Sequence, residues 1–597
     1  MPTDPVLASP TGELAGQAEW EAAAAAVLTR LGRARSGVAV PDLLAGTTID
    51  GVTVPALGAG VTVVSDPGCA PFVRGTAARL QATQWDIRTK VVDPDPRRAA
   101  AAAIDDLANG ATSLWVTLGG NGTRLDDLPL VLDEVYLDLA PVVVQATGDV
   151  PTLEAAWALA ELLLRTDGIH PATNLGADPI GRAIRSNTPA ADGELAEIVD
   201  LALRSGVRAA VVDATVAHDA GAAEVGELGY AVAVGVAYLR QIVGAGVPVD
   251  RALAMIEFRY AATADQFLTM AKFRAARQLW QRVAELSGAS TAAGGQAQHA
   301  VTSWPMMTRY DPWGNLLRTT LAGFAAGVGG AAALTVQPFD AALGVPEALG
   351  RRLARNTSTL LLAESHIGAA VDPVGGAPAV ESLTAELAAA AWAEFQQIEA
   401  AGGVAAALAD GSMPHRWART AGERRNRIAF RLQPVTGVTD FPDRGEQLLS
   451  RSPYPIAEPP GWAAEFEALR DAPARGRLLV ATLGPAGAAT PRASFAANVF
   501  AAGGVDTFTS AGNDSVEEMM ARYDGSAVVC LAATDATYLA DGPAAVWALR
   551  TAGAGWVIAA GQPGPEMEQL VDDTIAAGDD VLAFLQRTRE QLAGAGR

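Results

Sequence analysis

The chain has 597 residues, half of them apolar and 18% charged, with a formal net charge of −22. That is material for about three to four units of ordinary domain size, or for one large barrel with a smaller domain, and it marks a globular protein with a substantial core. The acidic balance excludes a surface built for nucleic acid or an anionic membrane, both of which need clustered positive charge, and two cysteines, Cys69 and Cys530, exclude a disulfide framework or a cysteine-rich metal site.

A reducing cytoplasm fits this cysteine usage, and residues 1–12 carry no basic region followed by an apolar core, so no signal peptide is expected. Lysine occurs only at Lys90 and Lys272; with so much Ala and Gly, this reads as the coding bias of a GC-rich genome. Residues 13–35 predict an Ala-rich helix with Leu14, Val27, Leu28 and Leu31 on its apolar side, ended by Gly32 and Gly37. Residues 1–60 are expected to form a helical and extended arm serving an interface.

From 61 to 432, short apolar β-branched runs alternate with longer Ala/Leu/Glu/Arg segments. Strands are expected at 114–118, 141–146, 208–213 and 331–336, with helices at 152–165, 194–204 and 266–286. Strand–helix alternation implies parallel strands with crossover helices, and over this length a closed (β/α)8 barrel is the favoured form. The run Gly119-Gly120-Asn121-Gly122 reads as a tight βα turn in preference to an anion-binding nest, and Asp126 and Asp127 as a solvated helix start. Residues 320–339 lack any charge and are long enough to cross a bilayer. Their apolarity comes mainly from Ala and Gly, so a buried helix passing into a barrel strand is expected. His170, His366 and His415 lie in unrelated motifs and read as scattered structural histidines.

The pattern lapses at 433–476, where Pro434, Pro442, Pro453, Pro455, Pro459 and Pro460 mark a linker. Residues 477–597 then predict a small doubly wound, flavodoxin-like α/β domain, with strands at 478–481, 527–531 and 556–560 and a helix ending near Ala502. Its first loop, Gly484-Pro485-Ala486-Gly487, is not a nucleotide-phosphate loop, since it has no lysine, and Pro485 and Pro491 each remove an N–H donor.

The landmarks between 302 and 384 come in a distinctive order: Thr302-Ser303-Trp304-Pro305, Tyr310-Asp311-Pro312, Arg355-Asn356-Thr357, Glu364-Ser365 and Asp372-Pro373 with Gly375 and Gly376. Together with Pro71-Phe72-Val73-Arg74-Gly75, Trp85-Asp86-Ile87-Arg88 and Lys272-Phe273-Arg274 with Ala276-Arg277, this order resembles the methylmalonyl-CoA mutases. The resemblance runs from about residue 47 to the C-terminus and supports an acyl-CoA mutase type of barrel followed by a cobalamin-binding type of domain.

The same resemblance shows where the chemistry departs. The family's D-x-H-x-x-G loop, whose histidine binds cobalt and whose aspartate fixes the imidazole tautomer, falls on Ala486, Ala488 and Pro491, and no histidine follows His415. The family's Ser-x-Leu stretch falls on Val529-Cys530-Leu531, without its first serine. In the barrel, the family's Tyr-His pair falls on Thr215 and Val216, counting back from Asp219-Ala220-Gly221. His218 could replace it only through a two-residue shift and is expected at the surface or as a loop cap. His299 matches an active-site histidine, but the glutamine two residues on is Val301; Glu364 is as much a cap as a remnant, and Arg318, Arg355 and Asp372 read as loop anchors.

The resemblance therefore implies the small, non-catalytic subunit of a heterodimer, with no catalytic, cofactor-binding or metal residues of its own. Adenosylcobalamin and the acyl-CoA substrate are expected on a larger catalytic partner, with no nucleic acid and no membrane as partners. An assembly factor for a mutase and an active mutase with a rewired site are the alternatives.

Overall fold

The computed structural model describes residues 16–58, 65–76, 84–187, 193–485, 487–510 and 512–595. After a two-residue antiparallel ribbon, β1 (Gly46–Thr47) and β2 (Thr53–Val54), eight parallel strands close a barrel. They are β3 (Asp86–Val91), β4 (Ser113–Leu118), β5 (Val142–Ala146), β6 (Asn174–Ala177), β7 (Arg208–Asp213), β8 (Ile256–Ala262), β9 (Ala297–Thr302) and β10 (Ala333–Thr335). They pair in chain order and β10 closes on β3, as strand–helix alternation predicts. Runs such as Val-Val-Val-Gln-Ala in β5 are buried throughout, because crossover helices cover the outer face while side chains fill the inner one. Gly176 sits at φ 71°, and a Cβ there would stand 1.8 Å from the Val144 carbonyl oxygen, so glycine is required where β6 crosses β5.

The helix Gln266–Leu286 has the predicted bounds, with Asp265 as its cap, accepting from the Leu268 N–H. It is buried on nearly every side, so its cations must be matched inside the protein. Lys272 donates to Glu227 at 2.6 Å, and Arg274 pairs with Asp372 and with Glu381. Arg277 donates to the carbonyls of Phe72, Val73 and Gly329, each at 2.8 Å, and to Gln298 at 2.6 Å. The uncharged run at 320–339 is a helix, Gly314–Val328, feeding into β10. Among the described residues no helix is long and apolar enough to cross a membrane. The N-terminal helix spans Gln17–Arg30, and Gly32 and Gly37 follow it with positive φ; residues 13–15 lie outside the described residues.

A second, parallel sheet is built from β11 (Arg477–Thr482), β12 (Asp506–Ser510), β13 (Val528–Ala532), β14 (Trp556–Ala560) and β15 (Asp573–Ile575), ordered β12-β11-β13-β14-β15. This is the flavodoxin-like order. The sequence reading names β11, β13 and β14 but neither edge strand, since β12 is half exposed and β15 has three residues.

Residues 433–476 contain one helix, Ala464–Asp471, and are tied to both bodies. The Ile456 N–H donates to Asn121 Oδ1 at 2.6 Å, Asn121 Nδ2 returns a bond to the Ile456 carbonyl at 2.8 Å, and Trp304 Nε1 donates to the Pro459 carbonyl at 2.9 Å. Arg309 pairs with Glu467 and Asp471, while Arg470 lies 3.8 Å from the Tyr310 ring centre and donates to the Gly437 carbonyl. Tyr310, Val435 and Val438 share one apolar cluster with Leu478 and Phe500, so the second sheet's core extends onto the barrel side.

Replacing Arg277 by Met should lower the unfolding free energy by about 3 kcal/mol, because it strips the donor from several buried acceptors at once. An unfolding free energy that stays within about 0.5 kcal/mol of the wild type would refute this role.

Candidate functional site

Residues two apart on a strand share a face, so β3 turns Arg88 and Lys90 inward and β8 turns Glu257 and Arg259 inward. Barrel interiors are usually layers of branched aliphatics; this one is layered with charge. Arg88 donates to Glu257 at 2.6 Å and Arg208 to the same carboxylate at 3.0 Å. Above them, Asp213 Oδ2 accepts from Arg259 at 3.0 Å, Arg185 at 3.0 Å and Gln145 at 3.1 Å, while Oδ1 accepts from the Thr215 hydroxyl at 2.6 Å. Burial alone would push the Asp213 carboxyl up, but the Arg259 and Arg185 guanidiniums outweigh it and hold the group below the ordinary carboxylate range.

Arg259 Nε also donates to His299 Nδ1 at 3.1 Å, which puts the imidazole proton on Nε2, facing Thr335 Oγ1 at 2.8 Å. The Thr335 hydroxyl in turn donates to the Arg88 carbonyl at 2.8 Å. Burial first, and then the Arg88 charge, depress the His299 pKa well below its usual value. This histidine is a neutral link in a structural chain, and Val301, two residues on, presents only a methyl surface to the space above.

That space is a cavity of about 500 Å³ at the carboxyl ends of the strands, where barrel enzymes place their chemistry. Lys90, Trp115, Asp213, Val216, Asp219 and Ser303 line it, and residues 456–459 cross its rim. The positions matching the family's Tyr-His pair both face it: Thr215 is spent on Asp213, and Val216 is a buried aliphatic. Neither can move a proton at neutral pH.

His218 corrects the sequence expectation. It is neither at the surface nor a loop cap but almost fully buried, because the helix Thr215–Asp219 folds back over the strand ends. Its Nε2 lies 2.7 Å from Ser303 Oγ, its ring packs edge-on against Trp462, and its Nδ1 stands 3.8 Å from Glu227, whose carboxylate is held by Lys272. It does not line the cavity, where Ser303 stands instead. The landmark residues are anchors: Arg318 donates to Asn315 and the Thr436 carbonyl, Arg355 pairs with Asp106, and Asp372 holds Arg74 and Arg274. Glu364 is exposed at the end of a π-helical turn.

On the second sheet, Ala488 is exposed in the turn before the helix Thr490–Ala502 and Pro491 opens that helix; Ala486 lies outside the described residues. The carboxyl edge here is filled by side chains. Arg492 donates to the Ala533 carbonyl at 2.6 Å and pairs with Asp535, and its Nε would be 2.7 Å from a Cβ on Gly561. The Tyr538 hydroxyl lies 2.7 Å from the Leu531 carbonyl and 3.0 Å from that of Ala560. Val529, at the first serine's place, and Cys530 beside it are buried within β13, and burial pushes the Cys530 thiol up. Cobalamin held through a histidine does not fit this edge: no imidazole is present in 477–597, and Arg492 and Tyr538 occupy the crevice between strand ends. Among the described residues no group of three or more His, Cys, Asp or Glu side chains is placed to hold a metal.

The sequence reading missed the Asp213–Arg259 pair and the Lys90 and Asp219 side chains of the cavity. The available signal was charge at alternate positions inside otherwise apolar strands, Arg-x-Lys in β3 and Glu-x-Arg in β8.

His218 gives a pH test. Burial, and then the Lys272 and Arg424 charges, depress its pKa well below 6.5, so it folds neutral. Below about pH 6.5 the unfolded chain binds a proton that the folded chain refuses, and stability falls by ~1.4 kcal/mol per pH unit from this group. The advantage of the wild type over His218→Gln should therefore shrink by about 2 kcal/mol between about pH 7 and about pH 5. Measured unfolding free energies whose difference is constant across that range would contradict it.

A family model described as methylmalonyl-CoA mutase matches residues 117–456. The chain is 44% identical to "Methylmalonyl-CoA mutase small subunit" of Streptomyces virginiae, covering 96% of this chain and 96% of that one. It is 39% identical to "Probable methylmalonyl-CoA mutase small subunit" of Mycobacterium tuberculosis over 91% of this chain and 92% of that one. For "Methylmalonyl-CoA mutase small subunit" of Propionibacterium freudenreichii subsp. shermanii the identity is 36%, over 88% and 86%. With a parallel barrel, a flavodoxin-like sheet and relatives alike along nearly their whole length, the chain belongs to the methylmalonyl-CoA mutase family.

Proposed function

We propose that this chain is the non-catalytic small subunit of a cytoplasmic heterodimer that interconverts succinyl-CoA and methylmalonyl-CoA. A larger partner would hold adenosylcobalamin and the acyl-CoA, and the cofactor would supply the radical chemistry. The observation that carries the reading is the pairing of lost chemistry with kept framework. Thr215, Val216 and Ala488 stand where the family has its phenol, imidazole and cobalt ligand, while Arg277, Arg318, Arg355 and Asp372 hold the surrounding loops. The names of the relatives support a larger partner, and the arm at 1–60 is the segment we assign to the interface.

In this reading the chain's residues carry out no step of the rearrangement. They keep a barrel folded beside the catalytic one, and the side chains of Arg492 and Tyr538 replace the cofactor's lower part with protein contacts. A duplicated fold that keeps its body after losing its chemistry is retained for a large interface inherited from a two-fold dimer.

Titrating the isolated chain with adenosylcobalamin should leave the cofactor spectrum and the chain's thermal midpoint unchanged. Loss of second-shell partners alone typically costs roughly tenfold to hundredfold in metal affinity, and here the ligand itself is missing. A stoichiometric complex with a shifted spectrum would overturn the assignment.

A further inference from the structure

One residue of the barrel cavity is not explained by a supporting role. Lys90 rises from β3 into the cavity, and among the described residues its ammonium has no hydrogen bond and no ion pair. The centre of the Trp115 ring is 4.6 Å from Nζ. The same ring lies 3.8 Å from the Arg259 guanidinium, so a fixed cation shares the neighbourhood of the amine. The chain's other lysine, Lys272, shows the contrast, being fully buried and bonded to Glu227 at 2.6 Å.

The cavity holds an acid to match. Asp219 lines it from the end of the helix Thr215–Asp219 and, among the described residues, its carboxylate accepts no hydrogen bond and makes no ion pair. Thr117, 3% exposed, also lines the cavity, and among the described residues its hydroxyl has no partner. Three polar groups aimed into one space of about 500 Å³ without protein partners form a site prepared for a small molecule.

We propose that Lys90 is a nucleophilic amine that condenses with a small aldehyde or ketone bound in this cavity, with Asp219 as the proton donor. The proposal goes beyond the subunit reading and does not depend on it. A lysine freed of carboxylate partners and placed beside another cation is how an amine is kept reactive. Burial pushes the Lys90 ammonium down, and the Arg259 charge acts in the same direction; Glu458, Asp213 and Asp219 oppose it in part. Burial, and then the Asp213 charge, push the Asp219 carboxyl well up, which keeps its proton in place.

The chemistry balances within the site. The Nζ lone pair attacks the carbonyl carbon, the C–O π pair takes one of the two protons released by the attacking nitrogen, and a neutral carbinolamine forms. Asp219 then protonates the departing hydroxyl, which leaves as water, and the nitrogen's proton returns to the Asp219 carboxylate as the imine is completed. Thr117 and Ser303, the latter set by His218 at 2.7 Å, are the groups placed to bond hydroxyl or carboxylate substituents of the ligand.

Two lysines in the whole chain make the test direct. The full-length native protein is incubated at neutral pH with pyruvate, or separately with dihydroxyacetone, in the presence of cyanoborohydride, and the adducts are mapped by peptide mass spectrometry. Reduced adduct is expected at Lys90 and not at Lys272, forming on the order of tenfold faster than on free Nα-acetyl-lysine, because more of a partly desolvated amine is unprotonated at neutral pH. Urea-unfolded chain should lose that advantage, Lys90→Arg should abolish the label, and Asp219→Asn should slow it several-fold while leaving the far-ultraviolet circular dichroism unchanged. An anionic or a neutral carbonyl preference is read from which probe labels faster. No adduct at Lys90 with either probe, or labelling no faster in the native chain than on the free amine, would overturn the proposal without touching the subunit assignment.

Discussion

The carboxylate of Asp213 is the point on which the barrel depends. It sits at the end of β7, buried, and accepts from Arg259 on β8, Arg185 on the helix Pro179–Ser186, Gln145 on β5 and Thr215 on the following turn. Four segments of the barrel mouth thus converge on one group of a fifth, β7. A charge taken out of water costs several kcal/mol unless it is matched, and the matching here fixes Arg259, which fixes the His299 tautomer, which fixes Thr335 on the closing strand β10. Few side chains in this core could change alone.

In the proposed subunit reading, that interlock accounts for which of the family's groups are replaced and which are kept. Groups that reach the cavity but hold nothing else can be lost at little cost, as at Thr215 and Val216, because a small or aliphatic side chain there leaves no buried partner unpaired. Groups that hold the framework cannot. Arg355 with Asp106, and Asp372 between Arg74 and Arg274, are buried pairs whose disruption would leave an uncompensated charge. On the second sheet, Arg492 and Tyr538 satisfy the strand-end carbonyls at the carboxyl edge.

Much of this was legible in the sequence, and the reasons are local. Apolar β-branched runs broken by amphipathic segments gave the barrel strands at 208–213 and the helix Gln266–Leu286 to the residue, and the Ala/Gly composition of 320–339 separated a buried helix from a membrane span. Edge strands β12 and β15 were not legible, since half-exposed or three-residue strands carry no run of apolar residues to read. The burial of His218 is not legible, because spacing along the chain does not say which way a short helix turns its side chains; packing against Ser303 and Trp462 decides that. The ties between residues 433–476 and the barrel were invisible for a related reason: they run through Asn121, Trp304 and backbone carbonyls, which leave no periodic signature.

We propose that the two chains of the complex divide the labour, one carrying the cofactor and the other only shape. Native mass spectrometry of the purified complex tests it most directly, by counting cobalamins per chain pair and finding which chain keeps the cofactor after dissociation. One cobalamin per pair, leaving with the larger chain, is the result expected from Ala488 and from the crevice occupied by Arg492 and Tyr538. Two per pair, or one retained on this chain, would contradict it.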